Sequence, residues 1–117
     1  MIQVKMVYDP PEASDGERIL VDRLWPRGLR KGAAALGEWR RDLAPSDDLR
    51  KWFGHRLDRW EEFKTRYRRE LTQRGKDPDL RELAERSSHE TITLLFAATE
   101  REHNNAVAMQ RFIEELA

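Results

Sequence analysis

Two strongly apolar segments, residues 18–25 and 91–98, constrain the fold of this chain more than any other feature. Both are rich in aliphatic and β-branched residues, which is typical of strands buried on both faces of a sheet. The residues between them mostly follow a helical period, so a long helical excursion joins the two strands. A connection of this kind links parallel strands, because antiparallel neighbours need only a short turn. We therefore predict that the two strands run in the same direction.

The remaining pattern predicts a third strand and several helices. Alternating apolar and polar residues over 2–8 indicate a half-buried strand, whose direction the sequence leaves open. Apolar spacing and capping residues predict helices over Ala33–Leu43, from Ser46 to Gly54, from a capping box at Asp58 to about Gln73, from Asp77-Pro78 to about Arg86, and near 104–116. The predicted fold is a small α/β domain over residues 1–117, with a short, mainly parallel sheet of about three strands and helices packed around it.

Composition excludes several classes of protein. The chain has no cysteine, which excludes disulfides, thiolate nucleophiles and cysteine-ligated metals. No apolar run approaches the ~18 residues of a membrane span, and no basic-then-apolar leader precedes Ile2, so we expect a soluble, cytoplasmic protein with no membrane partner. The motifs of P-loop nucleotidases, Rossmann dehydrogenases and serine hydrolases are also missing.

Charge is unevenly distributed along a chain whose formal net charge is zero. Residues 17–76 contain 17 basic and 10 acidic residues, and the flanking segments carry the opposite excess. A basic middle attracts anions locally even when the distant field cancels. In the alternative interpretation, the acidic and basic elements neutralise one another across the fold.

The parallel arrangement predicts where a site would lie. Both strands would end at the same edge of the sheet, bringing residues 22–28 next to residues 97–100. The last helix begins close by, at Asn104, and a helix start offers free N–H groups to an anion. Ligands of open α/β sheets bind outside these carboxyl ends. We therefore predict a site for a small anionic ligand at this edge, and the sequence leaves open whether the site only binds this ligand or also hydrolyses it.

Asp22 is the candidate catalytic residue of this site. It lies inside an apolar strand, where an unpaired charge is costly, so one interpretation pairs it structurally with an arginine. In the other, its pKa is raised and it acts as a general base or orients a water. The predicted ligand-binding residues are Arg23, Trp25, Arg27, Arg50, Asn104 and Asn105.

These ligand-binding candidates differ in their chemistry. Arginine side chains bind anions, and Arg27 with Arg30 and Lys31 would form a clamp after the Pro-Arg-Gly turn, unless these cations simply face water. Asn104 and Asn105 suit the capping of the last helix, and a contact with ligand is the sharper alternative. The three histidines are far apart in sequence, so we assign neither a metal nor a cofactor.

A second hypothesis concerns the basic segment 59–74. Its cations favour a non-catalytic module that binds nucleic acid or a protein partner. Glutamates at i,i+4 spacing instead indicate a salt-bridged face in solvent. A third possibility is a homodimer formed through exposed aromatic residues.

Three stretches of the chain resemble a known family. They are Tyr8-Asp9-Pro10-Pro11 with Asp15-Gly16, Arg18-Ile19-Leu20-Val21-Asp22-Arg23-Leu24-Trp25-Pro26-Arg27-Gly28, and residues 39–53 with Ala44-Pro45-Ser46 and Leu49-Arg50-Lys51-Trp52-Phe53. Together they resemble the YeaO-like family of small bacterial proteins, a domain of unknown function. The resemblance implies a cytoplasmic α/β fold with the 22–27 segment at the sheet edge, and it brings no established reaction.

The chain departs from the pattern of that family at one position. The family usually has Asn-His-Ala where this chain has Asn104-Asn105-Ala106. An asparagine forms hydrogen bonds but does not titrate near neutral pH. If the histidine acts as an acid or base in the family, its replacement by Asn105 weakens the case for catalysis here.

Overall fold

A computed structural model describes residues 1–117, except for the side chain of Lys31. Its described part contains four strands: β1 (Ile2–Met6), β2 (Glu17–Leu20), β3 (Glu38–Trp39) and β4 (Ile92–Phe96). They form one sheet in the order β1-β4-β2-β3, and every neighbouring pair is parallel. The α/β class and the parallel pairing of the two apolar segments are confirmed. The sheet has four strands rather than about three.

Four α-helices connect and cover the strands. They are α1 (Asp47–Phe53), α2 (Trp60–Gln73), α3 (Asp77–Ser87) and α4 (Asn105–Leu116). The Ser46 cap is confirmed, since its hydroxyl accepts a hydrogen bond from Leu49 N and Gly54 ends α1 in a left-handed conformation. Glu70 of α2 accepts hydrogen bonds from the backbone N and the hydroxyl of Ser46, so the start of α1 is fastened to α2.

The predicted helix over Ala33–Leu43 is wrong. The chain instead forms 3-10 turns at Lys31–Ala34 and Arg41–Leu43, with β3 between them. Gly37 donates its backbone N–H to Arg18 O, and an added Cβ there would lie 1.9 Å from the Glu17 carboxylate. Backbone pairing with β2 therefore prevails over a helical tendency that a glycine already weakens.

Two predicted helix starts are also wrong in detail. Asp58 makes no capping box: it pairs with Arg56 in the 3-10 turn Leu57–Arg59, and α2 begins at Trp60. Asp77 is the first residue of α3 rather than its cap, and its carboxylate bonds to Arg68. Both aspartates form an ion pair with an arginine and do not cap a helix.

The two faces of the sheet are covered differently. Ile19, Leu94 and Phe96 pack on one face against the helices, in a core that includes Phe63 and Tyr67 of α2. On the other face, Leu20 and Leu95 lie under an irregular cover built from Trp25, Leu29, Leu36 and Trp39. The rings of Trp25 and Trp39 meet edge to face with centroids 5.2 Å apart. The loop that follows β2 is thus held by an aromatic contact.

Gly16 should tolerate a side chain far less than Gly28. Both have positive φ, but a Cβ on Gly16 would lie 2.1 Å from Thr91 O, next to the start of β4, whereas nothing lies within 4 Å of one on Gly28. We expect Gly16→Ala to lower the free energy of unfolding by about 3 kcal/mol or more, from strain plus overpacking, and Gly28→Ala by about 1 kcal/mol. Urea unfolding measures both, and equal losses would contradict the packing of this junction.

Candidate functional site

A cavity of about 580 Å³ opens at the carboxyl edge of the sheet. The loop after β2, the last turn of α1, the residues that follow β4 and the start of α4 enclose it. Every residue predicted for the site lines this cavity: Asp22, Arg23, Trp25, Arg27, Arg50, Asn104 and Asn105. The parallel strands thus bring together side chains that are up to 83 positions apart in sequence.

Asp22 forms the floor of the cavity at the point where the β2–β4 ladder stops. Val21 N still donates to Leu95 O, and regular parallel pairing would next join Ala97 N to Val21 O. Instead, Ala97 N donates to Asp22 Oδ2 at 2.9 Å. The carboxylate therefore takes the place of a backbone acceptor, and β2 ends earlier than predicted.

Asn105 completes this exchange from the first turn of α4. Its side-chain nitrogen donates to Val21 O at 2.8 Å and to Asp22 Oδ1 at 3.0 Å. The freed strand carbonyl and the carboxylate are thus both bound by one amide. Asn105 braces the helix start against β2, and among the described residues nothing donates to its own Oδ1.

Asn104 has the capping role. It is buried, its Oδ1 accepts from Val107 N at 2.9 Å, and its side-chain nitrogen donates to Glu100 O at 2.9 Å. Capping is therefore confirmed for Asn104, whereas Asn105 lies one position inside the helix. Both polar atoms of the Asn104 amide are already engaged.

The carboxyl group of Asp22 is half-buried without a cationic partner. No described arginine or lysine lies within ion-pair distance of it, so the predicted Asp22–arginine pair is wrong: amide groups bind this carboxylate. Burial raises the pKa of Asp22 above its ordinary 3.8, although the hydrogen bonds from Asn105 and Ala97 and the charge of Arg50 oppose this rise. An uncompensated carboxylate is the main electrostatic feature of the floor.

Cations surround the rest of the cavity. Arg23 and Arg27 are exposed, and neither makes an ion pair with a described residue. Arg50 and Lys51 both pair with Asp47, at 2.6 and 2.9 Å. The sequence interpretation missed Lys51, although its position in the last turn of α1 is the signal that would have found it.

The predicted clamp after the Pro-Arg-Gly turn is only partly realised. Arg27 lines the cavity, whereas Arg30 is exposed away from it and the side chain of Lys31 lies outside the described part of the structure. Tyr8 holds the loop that contains Arg27 in place, because its hydroxyl donates a hydrogen bond to Arg27 O at 2.7 Å. Trp25 anchors the same loop, since its indole N–H donates to Leu29 O at 2.7 Å.

Apolar side chains also line the cavity. The apolar lining residues include Leu24, Trp25, Pro26, Pro45, Phe53, Phe63, Ala97 and Ala98. Phe53 and Phe63 are stacked with centroids 4.3 Å apart. From the sequence, both belong to apolar helix stripes, so nothing in the pattern distinguishes a core residue from one that also faces a cavity.

The basic helix carries its cations in ion pairs. On α2, Lys64 and Arg66 pair with glutamates of the same helix, and Arg68 pairs with Asp77 of α3. Arg74, the residue that follows α2, pairs with Glu70. Arg69 is exposed and makes no ion pair among the described residues. This arrangement is that of a salt-bridged face in solvent.

The described residues contain neither a metal-binding cluster nor a helix able to span a membrane. No group of three or more histidine, cysteine, aspartate or glutamate side chains is placed to hold a metal ion there. None of the described helices has both the length and the apolar character needed to cross a membrane.

Comparison with known proteins places the chain in a family. It belongs to the family described as the inactive DUF488-N3 subclade, whose model matches residues 1–117. It is similar to the uncharacterised protein YeaO of Escherichia coli K12, with 41% identity over 115 residues covering 98% of each chain. It is also similar to the uncharacterised protein Rv3073c of Mycobacterium tuberculosis H37Rv, with 41% identity over 92 residues, 79% of this chain and 78% of that protein. No solved structure gives a significant match.

These relatives bear directly on the sequence interpretation. The resemblance to the YeaO-like family of bacterial proteins is confirmed, and it extends over nearly the whole chain. The relatives are themselves uncharacterised, so they bring no substrate and no reaction to the cavity.

Asp22 should titrate above the ordinary pKa of an aspartate. Carboxyl ¹³C NMR across acidic pH should give Asp22 a midpoint above 3.8, and Asp47, held by Arg50 and Lys51, a pKa of about 2. Because folding raises the pKa of Asp22, its contribution to stability is full below the ordinary pKa and is lost as pH rises through the folded-state value. An Asp22 midpoint at or below 3.8 would contradict a half-buried carboxylate without a counter-ion.

Proposed function

We propose that this protein binds a small anionic molecule in the cavity at the carboxyl edge of its sheet, without catalysing a reaction. The observation that carries the proposal is the charge of the lining. Four cations, Arg23, Arg27, Arg50 and Lys51, line one cavity, and Asp22 is the one carboxylate among its described lining residues. Arg23 and Arg27 have no described carboxylate to neutralise them, so an anionic ligand is their natural partner.

The form of the cavity supports a ligand of metabolite size. Its volume of about 580 Å³ lies within the ~300–1,000 Å³ typical of small-molecule sites. Its walls are mainly apolar, and polar groups converge at the floor and the mouth, as in other ligand pockets. The position outside the carboxyl ends of parallel strands is where open α/β sheets bind ligands.

Binding has more support than hydrolysis. Each oxygen of Asp22 already accepts a hydrogen bond from the protein, so the carboxylate has a structural task besides any role as a general base. Asn105, its partner, does not titrate near neutral pH. The subclade to which the chain belongs is described as inactive, which agrees with a site that binds a ligand without catalysing its conversion.

The nucleic-acid or protein-binding alternative, centred on the basic helix, has weaker support. Most cations of α2 are already paired with carboxylates, which reduces the charge available to phosphates. Self-association through exposed aromatic residues stays a prediction.

A metabolite screen tests the binding proposal. Phosphorylated and carboxylated metabolites are screened by thermal shift, and each stabilising compound is measured by isothermal titration calorimetry. We expect Arg27→Ala and Arg23→Ala each to weaken binding by about tenfold or more, because each removes a charge-assisted hydrogen bond. Arg69→Ala is the matched control: it removes an exposed arginine from α2 and should change affinity by less than about twofold.

Several results would contradict the proposal. Binding that is insensitive to Arg23→Ala and Arg27→Ala would place the ligand elsewhere. Loss of binding in Arg69→Ala, with affinity that falls steeply as salt rises, would favour the nucleic-acid alternative. The bound compound should be recovered unchanged after incubation, as followed by NMR, and turnover that depends on Asp22 would show that the site is catalytic.

A further inference from the structure

Two side chains at the floor of the cavity, Asp22 and Asn105, offer a ligand only hydrogen-bond acceptors. An ionised carboxylate accepts through about four lone-pair directions, and the protein supplies one donor to each Asp22 oxygen. Asn105 directs its amide nitrogen at Val21 O and Asp22, which leaves its Oδ1 without a donor among the described residues. Both side chains line the cavity and are half-buried. The floor therefore has unused acceptors and no free donor on these two side chains.

The charge of Asp22 also lacks a partner. In the described structure no cationic side chain reaches it, and only amide N–H groups bind it. A half-buried carboxylate in this state gains most from a charged or N–H-bearing donor, since such hydrogen bonds are stronger than neutral ones. A ligand that carried only an anionic group would leave the floor unsatisfied.

We infer that the ligand is amphoteric: an amino group binds the Asp22–Asn105 floor, and an anionic group binds Arg23 and Arg27 at the mouth. This inference rests on the proposed function and names the chemical class of its ligand. Trp25 and Phe53 line the same cavity as both charged groups, so the ligand can also carry a planar apolar body that packs against these rings. Aromatic amino acids and amino-bearing nucleotides share this chemistry.

Two matched sets of probes test the inference on the full-length chain by calorimetry. The first set is tryptophan, indole-3-propionate, which lacks the amino group, and tryptamine, which lacks the carboxylate. The second is adenosine monophosphate, purine riboside monophosphate, in which a hydrogen replaces the amino group, and adenosine, which lacks the phosphate. In at least one set, the amphoteric probe should bind about tenfold or more tightly than either partner that lacks one end.

Variants assign the two ends within the amino-acid set. Arg27→Ala should weaken tryptophan and indole-3-propionate and spare tryptamine. Asp22→Asn should weaken tryptophan and tryptamine and spare indole-3-propionate. Because Asp22→Asn faces two N–H donors and is expected to lower stability, the comparison among probes on the unmodified protein is the primary test.

The outcomes separate this inference from the proposed function. Equal affinity for the probes with and without the amino group would overturn the amphoteric ligand, while Arg27-dependent binding of other anionic metabolites would preserve the proposed function. No binding of any probe in either set would also overturn the inference. If no anion is found whose binding depends on Arg23 or Arg27, both the amphoteric-ligand inference and the proposed function are overturned.

Discussion

A side-chain carboxylate replaces a backbone carbonyl as hydrogen-bond acceptor at the end of the central strand pair, and the site depends on this replacement. Asp22 accepts the N–H of Ala97, which a strand carbonyl would accept in a continuing ladder. Asn105 then binds the carbonyl of Val21 and the carboxylate together. One set of hydrogen bonds thus ends β2, releases the chain after β4 and fixes the first turn of α4. The cavity opens where these three elements separate.

The same arrangement determines the electrostatics of the cavity. The carboxylate is held by neutral amides rather than by an arginine. Burial raises the pKa of Asp22 above its ordinary value, and these amide hydrogen bonds and the charge of Arg50 only partly oppose the rise. Arg23 and Arg27 do not pair with this carboxylate, so their guanidinium groups stay available to a ligand at the mouth of the cavity. The cavity therefore holds a half-buried carboxylate and two exposed arginines that do not neutralise each other.

Much of this could be predicted from the sequence, because it depends on strand direction. The apolar segments and their helical connection predict parallel strands, and parallel strands bring Asp22 and Asn105 to one edge. The partner of Asp22 could not be predicted, since choosing between a guanidinium and an amide requires the register of β2 against β4. The helix predicted over 33–43 was wrong for a similar reason. The backbone of this segment pairs with β2, and local propensity gives no information about such a tertiary contact. The contribution of Phe53 and Phe63 to the cavity could not be predicted either. A helical period of apolar residues indicates which side chains are buried, but it does not indicate which of them also line a cavity.

The most direct test of the account is a ¹H–¹⁵N NMR titration with a metabolite that stabilises the protein. Binding at the carboxyl edge should shift the Ala97 backbone amide, the Asn105 side-chain amide and the Trp25 indole N–H, which report on the floor and the wall of the cavity. The amides of Arg69 and Arg111, in the open groove between α2 and α4, should stay unchanged. Shifts confined to that groove, with Ala97 and Asn105 unaffected, would contradict the account.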